Sequence, residues 1–262
     1  MRTPQNHIVE VLAARRGLFD QAEAAYAESL QLARALQYRE LIATLLLNLG
    51  AIMAKRGAAH QAQSCYEEGL EIAREIGHRE RISSLLVNLG ALAVRQQAFT
   101  EADAYLREGL ALAREVGHQE LICHLLGQLA SVATNRADYA AAEAYGREAL
   151  TRVELLGNRW QKSNILLTLS ELHMRTQQWE QAATFASVAL TLARDATAQE
   201  YEAKALYFLA RIAHAQERLA EAHQLGAESV AILHRRRLIS LQEMTQWLAD
   251  LPPVATVGDQ IP

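Results

Sequence analysis

The chain has 262 residues, half of them hydrophobic, with a formal charge of -4 and only 4 prolines. Charges of both signs are interspersed, which argues against a nucleic-acid domain with its one basic face and against a disordered acidic tail. The two cysteines, Cys65 and Cys123, sit inside helical patterns without metal-ligand spacing, so a reduced, cytoplasmic setting is expected.

The N-terminal stretch MRTPQNHIVE is polar and lacks the apolar core of a signal peptide. The longest uncharged run, Leu121 to Asn135, contains His124 and Gln128 and is too short to span a bilayer. A soluble protein with no membrane partner is expected.

From Leu45 the chain reads LLLNLGAIMAKRGAAHQAQSCYEEGLEIAREIG; from Leu85 it reads LLVNLGALAVRQQAFTEADAYLREGLALAREVG. The period is 40 and does not slip. One column holds Ala22, Ala62, Ala102, Ala142, Ala182 and Ala222; another holds Leu49, Leu89, Leu129, Leu169 and Leu209. A third stays small: Gly50, Gly90, Ala130, Ser170, Ala210.

Each unit contains two helical patterns. In the second unit the apolar spacing of Leu45, Leu46, Leu49, Ile52 and Met53 predicts a helix over about Glu40 to Lys55, broken by Gly57. Ala62, Tyr66, Leu70 and Ala73 predict a second over about Ala59 to Ile76, with Gly77 as C-cap, recurring as Gly117 and Gly157. Asp20 with Glu23, and Thr100 with Asp103, read as capping boxes. The small pairs Gly50 with Ala62 and Gly90 with Ala102 read as the crossing point of each hairpin. Tyr66, Tyr105 and Tyr145 would fill the space further along, the aromatic shifting by one column after Tyr66.

A lone helical hairpin cannot bury its apolar face, whereas stacked hairpins can. The expected fold is therefore all-α, an α-solenoid of antiparallel helix pairs wound as a right-handed superhelix. Its units fall at about 1–38, 39–78, 79–118, 119–158, 159–198 and 199–236. In the last unit Glu217 stands where Gly57 breaks the second. Leu241, Met244, Trp247 and Leu248 predict a capping helix over 238–249, so that 1–249 form one solenoid, followed by an irregular tail, 250–262.

The pattern resembles the tetratricopeptide repeat. It is carried by Leu46, Leu49-Gly50, Ala62, Tyr66 and Gly69, and again by Leu86, Leu89-Gly90, Ala102, Leu106 and Gly109. It weakens through Leu166, Leu169-Ser170 and Ala182, and through Leu206, Leu209-Ala210 and Ala222. The long period looks like that of sensor regions in bacterial STAND-type signal-transduction ATPases and related transcriptional regulators. No GxxxxGK[ST] loop accompanies it.

The resemblance implies that the first helix of each unit lines a concave groove. Carried over, it places Lys55, Arg95, Asn135, Arg175 and Ala215 in one row, Ala51, Ala91, Ser131, Glu171 and Arg211 in a second, Leu47, Val87, Gly127, Leu167 and Tyr207 in an apolar third, and Thr44, Ser84, His124, Asn164 and Lys204 in a fourth. Lys55 and Arg95 would meet an acidic or carboxylate-bearing partner, with Leu47 and Val87 giving apolar contact; Arg175, Asn135 and Tyr207 extend the site. The positions of a Lys/Asn carboxylate clamp hold Leu47 and Ala51, so that clamp is rejected, and Asn48 and Asn88 read as hairpin braces or, alternatively, as edging the groove.

No catalytic constellation stands out. His78 and His118 recur in the GHRE and GHQE turns, as repeat-borne turn residues, and no HExxH is present. The expectation is a non-catalytic scaffold for a protein or extended peptide segment. The alternative is a partner- or ligand-sensing domain of a larger STAND-type ATPase or transcriptional regulator. No cofactor, metal or direct nucleic-acid contact is expected, and exposed solenoid ends invite self-association.

Overall fold

A left-handed residue closes a turn every twenty positions. Glycine fills it at Gly57, Gly77, Gly117 and Gly157; Gln37, Gln97, Ala137, Gln177, Thr197 and Glu217 fill the others, all with φ between 52° and 79°. In all of these turns but the one at Gly157 the next residue donates its N–H back into the helix just ended, as His78 N does to Ala73 O at 2.9 Å and Ala98 N to Ala93 O at 2.9 Å. These bonds satisfy the carbonyls a helix end leaves orphaned. The break at Glu217 therefore needs no glycine, contrary to the suggestion of the sequence that the last unit lacks it.

The computed structural model describes residues 19–236 and 241–252. Within them the helices are α1 (Phe19–Ala35), α2 (Arg39–Lys55), α3 (Ala59–Glu75), α4 (Arg79–Arg95), α5 (Phe99–Val116) and α6 (Gln119–Asn135). They continue as α7 (Tyr139–Leu156), α8 (Arg159–Arg175), α9 (Trp179–Asp195), α10 (Gln199–Ala215), α11 (Leu219–Arg236) and α12 (Leu241–Ala249). The fold is an all-α solenoid built from consecutive antiparallel helix pairs. Two compact units divide the chain, Met1–Val132 and Ala133–Pro262. The start of the expected leading helix near Asn6, and residues 238–240 of the expected capping helix, lie outside the described residues.

Helix starts depart from the sequence reading. Residue Ala98 caps α5 without a side-chain bond, and Thr100 lies inside the first turn, so no capping box forms there. Asp20 also lies within α1, and it and Glu23 are taken by Arg56 at the end of the next helix. The side-chain caps are His78, whose Nδ1 accepts from Arg81 N at 3.3 Å, His118 (from Leu121 N, 3.3 Å), Asp138 (from Ala141 N, 3.2 Å) and Asn158 (from Gln161 N, 3.2 Å). The Nε2 atoms of His78 and His118 face Glu40 and Glu80, each at 3.4 Å. The two histidines thus bind turns and tie one repeat to the preceding one.

In unit 1, α2 pairs with α3 and α4 with α5. Two close approaches set each pair. At one end Gly50 makes room for the buried Tyr66 ring: a Cβ there would stand 2.7 Å from Tyr66 Cδ1. Gly90 does the same for Leu106, again at 2.7 Å. The partner of the small column is thus residue 66 or 106, and Tyr105, only half-buried, does not take over from Tyr66. At the other end the helices nearly touch: a Cβ on Gly69 or Gly109 would sit 3.6 Å from Ala43 O or 3.5 Å from Ser83 O. Buried Ser83 Oγ donates to Gly109 O at 2.7 Å across this gap.

Unit 2 repeats the design with α8/α9 and α10/α11. Ser163 Oγ donates to Ala189 O at 2.9 Å, and Ser229 Oγ donates the opposite way, to Ala203 O at 2.8 Å. Ser170 Oγ donates to Ala182 O at 2.8 Å, which places the expected small pair side by side in this unit. The core of the unit gathers Leu166, Leu167, Ala186, Leu206, Tyr207, Phe208 and Leu233, and reaches Met244 on α12.

Candidate functional site on the first helices

The helices α2, α4 and α6 lead their repeats in unit 1, as α8 and α10 do in unit 2. Residues spaced i, i+4, i+7 and i+11 share one side of such a helix. On α2 that stripe is Thr44, Asn48, Ala51 and Lys55; the first three are half-buried and Lys55 is exposed. On α4 it is Ser84, Asn88, Ala91 and Arg95, with the same gradation. On α6 it is His124, Gln128 and Ser131, all half-buried. The face that the first helices leave open in unit 1 is therefore polar and small, and it repeats.

Local bonds order this stripe. Thr44 Oγ1 donates to Glu40 O at 2.9 Å, and Ser84 Oγ to Glu80 O at 3.0 Å. Asn88 Nδ2 donates to Ser84 O at 3.2 Å, whereas the Asn48 amide makes no hydrogen bond among the described residues. Neither asparagine spans the two helices of its hairpin in these bonds, so the bracing expected of them is absent. Gln128 Nε2 meets His124 Nε2 at 3.5 Å, and burial pushes the His124 imidazole below its ordinary value.

The expected apolar row lies elsewhere. Val87 is 3% exposed and Tyr207 6%, and Leu167 is fully buried. Only Leu47 is half-buried, and it packs on the cluster of α2, α3 and α4 side chains. The cause is contact between neighbouring first helices, α2 with α4 and α8 with α10, which closes over this row. Val87 and Tyr207 are thus core residues without a face for a ligand.

The cationic row has a mixed fate. Lys55 is exposed and has no carboxylate partner among the described residues. Arg95 Nη1 donates to Ala54 O at 2.9 Å, which anchors the guanidinium at the C-terminal carbonyls of α2, a favourable dipole position. That bond also brings Arg95 to the residue beside Lys55, in unit 1. In unit 2, Arg175 is exposed and faces Glu171 at 3.8 Å, and Asn135 is half-buried.

Two features carry contacts that the sequence reading did not assign, although its groove rows include Lys204 and Arg211. On α10, Lys204 Nζ lies 5.2 Å from the centre of the Phe208 ring, and Arg211 Cζ lies 5.6 Å from that of Tyr207. The recurrence of residue 48 as Asn, Asn and Gln would have pointed to the open stripe, but Lys204 and Arg211 are peculiar to one repeat and give no periodic signal. The second feature is an open cleft of about 450 Å³ in unit 2, lined by Tyr139, Glu143, Arg147, His173, Gln178 and Gln181 among others. Within it His173 Nδ1 meets Gln178 Oε1 at 2.6 Å, the ring stacks on Phe185 at 5.3 Å, and Nε2 faces Glu143 at 3.5 Å. Here the histidine is a packing element tied through Nδ1, while its buried Nε2 makes no hydrogen bond among the described residues.

Among the described residues no three His, Cys, Asp or Glu side chains form a group able to hold a metal, and no helix is long and apolar enough to cross a membrane. Buried Tyr66 and half-buried Cys65 are pushed up by desolvation and are poor nucleophiles. What the first-helix faces offer is amides, hydroxyls and cations in fixed positions, which is chemistry for binding.

Tetratricopeptide-repeat models match residues 1–75 and 83–116. Over those residues the chain carries tetratricopeptide repeats. Among curated proteins no sequence matches it. Solved structures share its fold at low identity. BtubC from P. vanneervenii is 17% identical with a TM-score of 0.64, covering 93% of this chain and 97% of that one. A signal transduction ATPase with numerous domains and a tetratricopeptide repeat sensor, from Pyrococcus horikoshii, is 16% identical with a TM-score of 0.65. That match covers 94% of this chain but 38% of the ATPase. The Rap conjugation gene regulator of plasmid pLS20, solved with the Phr* peptide, is 15% identical with a TM-score of 0.67, covering 92% and 70%.

Proposed function

We propose that the protein is a non-catalytic scaffold that binds an extended peptide or protein segment on the open faces of its first helices. The observation that carries this reading is the polar stripe repeated through unit 1: Thr44 and Asn48, Ser84 and Asn88, His124 and Gln128, each half-buried at the same helical positions. An extended chain offers backbone N–H and C=O groups at regular intervals. Side-chain amides that donate and accept match both, whatever the sequence. Lys55 and the Arg95 guanidinium beside it stand at the C-terminal end of the stripe, where they favour a carboxylate in the segment; Leu47 adds apolar contact at its margin. The Phr* peptide bound by the Rap regulator of similar fold supports a peptide as the class of partner.

A second reading, compatible with the first, is that the chain is the sensing region of a larger signal-transduction ATPase or transcriptional regulator. It is favoured by the likeness to the sensor-bearing ATPase, of which this chain spans less than half.

The test is selection from a phage-displayed random peptide library, followed by calorimetry with the selected peptides. Asn48→Ala with Asn88→Ala should weaken binding by at least about tenfold, or about 1.4 kcal/mol, with the fold unchanged by circular dichroism. Peptides bound with equal affinity by the variant would remove the stripe from the site. Failure to select any peptide would sink the reading itself.

A further inference from the structure

Most arginines described in the molecule are neutralised by a neighbour. Arg34, Arg39, Arg56, Arg74, Arg79, Arg147, Arg159, Arg194 and Arg218 all sit in ion pairs. Lys204 and Arg211 do not: both are half-buried, and among the described residues neither has a carboxylate at ion-pair distance. They lie seven residues apart on the open stripe of α10, a Cα spacing of about 10 Å. Their side chains point toward each other along the helix. Lys204 reaches forward over Phe208, four residues on, while Arg211 reaches back over Tyr207, four residues before it.

The rings hold this arrangement rigid. Phe208 is 4% exposed and Tyr207 6%, and Tyr207 is itself braced edge-on by Trp247 at 5.2 Å between ring centres. Two partly desolvated cations thus reach toward each other along one helix, each over a ring and, among the described residues, neither paired with an anion. Like charges so placed repel, and a carboxylate seated between them relieves the repulsion while adding charge-assisted hydrogen bonds. Two cations are far fewer than a nucleic-acid surface uses, and the chain's net charge of -4 opposes a polyanion.

We propose that Lys204 and Arg211 form a carboxylate-binding site in unit 2 that takes a glutamate or aspartate side chain of an acidic peptide segment. The proposal rests on the peptide-binding reading above and names the chemistry of the partner in unit 2. The side-chain stems and the two buried rings beneath them give the site an apolar floor, which strengthens the ion pairs relative to fully solvated ones.

The probe is a fluorescein-labelled peptide of alternating glutamate and alanine, acetylated and C-amidated, followed by fluorescence anisotropy at low salt. Three controls accompany it: the same peptide with glutamine for glutamate, the glutamine peptide with a free C-terminal carboxylate, and an oligothymidylate of equal charge. Wild type should bind the glutamate peptide at least about tenfold more tightly than either Lys204→Glu with Arg211→Glu or the milder Lys204→Met with Arg211→Gln. Arg107→Glu, the reversal of an exposed cation on a second helix away from the first-helix faces, should leave that affinity unchanged. Equal binding by wild type and both double variants would overturn the proposal, as would no binding by wild type. Tighter binding of oligothymidylate would assign the pair to nucleic acid, and preference for the free C-terminus would assign it to a terminal carboxylate; either overturns it. Library peptides that still bind through Asn48 and Asn88 would then show that the scaffold reading survives this failure.

Discussion

Residue 50 and residue 66 show how one side chain is specified by another. Gly50 faces the Tyr66 ring and Gly90 faces the smaller Leu106. In later repeats the small column grows to Ser170 and Ala210 while the facing column shrinks to Ala186 and Gly226. The gain is far smaller than the loss, and other side chains fill the space a densely packed interior cannot leave empty, Leu169 against Gly146 and Leu248 against Gly226. Gly50→Ala should therefore destabilise the protein by about 1–3 kcal/mol through overpacking. Combined with Tyr66→Leu, its cost should fall below the sum of the single effects, because the smaller side chain yields the space the new methyl needs. Urea unfolding of the two single variants and the double variant measures that coupling; strict additivity would mean that the two positions do not share a space. The turns permit a gain at the same scale. Ala137 is exposed with φ 59°, and the left-handed conformation costs a non-glycine residue about 1–2 kcal/mol. Ala137→Gly recovers that cost less about 0.4–1 kcal/mol of extra unfolded-chain entropy. A rise in thermal midpoint is expected, and a fall would show the turn to be unstrained.

At the scale of elements, successive second helices are stapled by arginines that return with the period. Arg74 Nη2 meets Glu108 at 2.7 Å and Arg194 Nη2 meets Glu228 at 2.7 Å, each pair linking consecutive hairpins within one unit. All four side chains are about half exposed, so each pair is worth about 0.2–1 kcal/mol and is screened by salt. Glu108→Gln should cost no more than that at low ionic strength and almost nothing in concentrated salt; a larger, salt-independent loss would point to packing. His124 on α6 sets a pH dependence of opposite origin. Its folded-state proton affinity is lowered by burial, so the unfolded chain binds the proton more readily. Stability is therefore complete above the ordinary histidine range and falls as the pH drops through that range toward the depressed folded value. A His124→Gln variant should lose less stability than wild type between neutral and mildly acidic pH, as seen in urea midpoints. Helices and turns were legible in the sequence because their signals are local and periodic: the stripe of Leu45, Leu46 and Leu49 and the glycines at 57 and 77. Caps were less so. Ala98 caps α5 with no side-chain bond, whereas Thr100 and Asp103 spell a capping motif that starts two residues later. Tertiary placement of the turn decided the helix start there.

For the molecule as a whole, the open face was harder to read than the core, since which side of a first helix stays open depends on its neighbours in other repeats. Val87 looked available because it follows Leu47 by one period, yet it is 3% exposed where α2 and α4 meet. Asn48 and Asn88 looked like braces because they adjoin the apolar row, yet they lie half-buried on the open stripe. The end of unit 2 gives the last prediction. Met244 is 7% exposed, and Leu251 beyond α12 is 8% exposed. Gly226 on α11 lies so close that a Cβ there would stand 2.8 Å from Leu248 Cδ1. Trp247 meets Tyr207 and His214 edge-on at 5.2 and 6.2 Å, and His223 Nε2 bonds Pro252 O at 2.7 Å. In a repeat array stability propagates between neighbours. Removing residues from 237 onward should therefore loosen α10 and α11 first and leave α2 and α3 nearly untouched. The apolar surface uncovered around Tyr207, Leu233 and Ala213 should drive association of the truncated chains. Hydrogen exchange should show faster opening confined to the last repeat, and light scattering should show particles larger than those of the full chain. A truncated chain of unchanged size and unchanged exchange would mean that α12 covers nothing the molecule needs covered. Because Trp247 also braces the ring beneath Arg211, the truncation should weaken glutamate-peptide binding as well, even in the fraction that remains unassociated at high dilution.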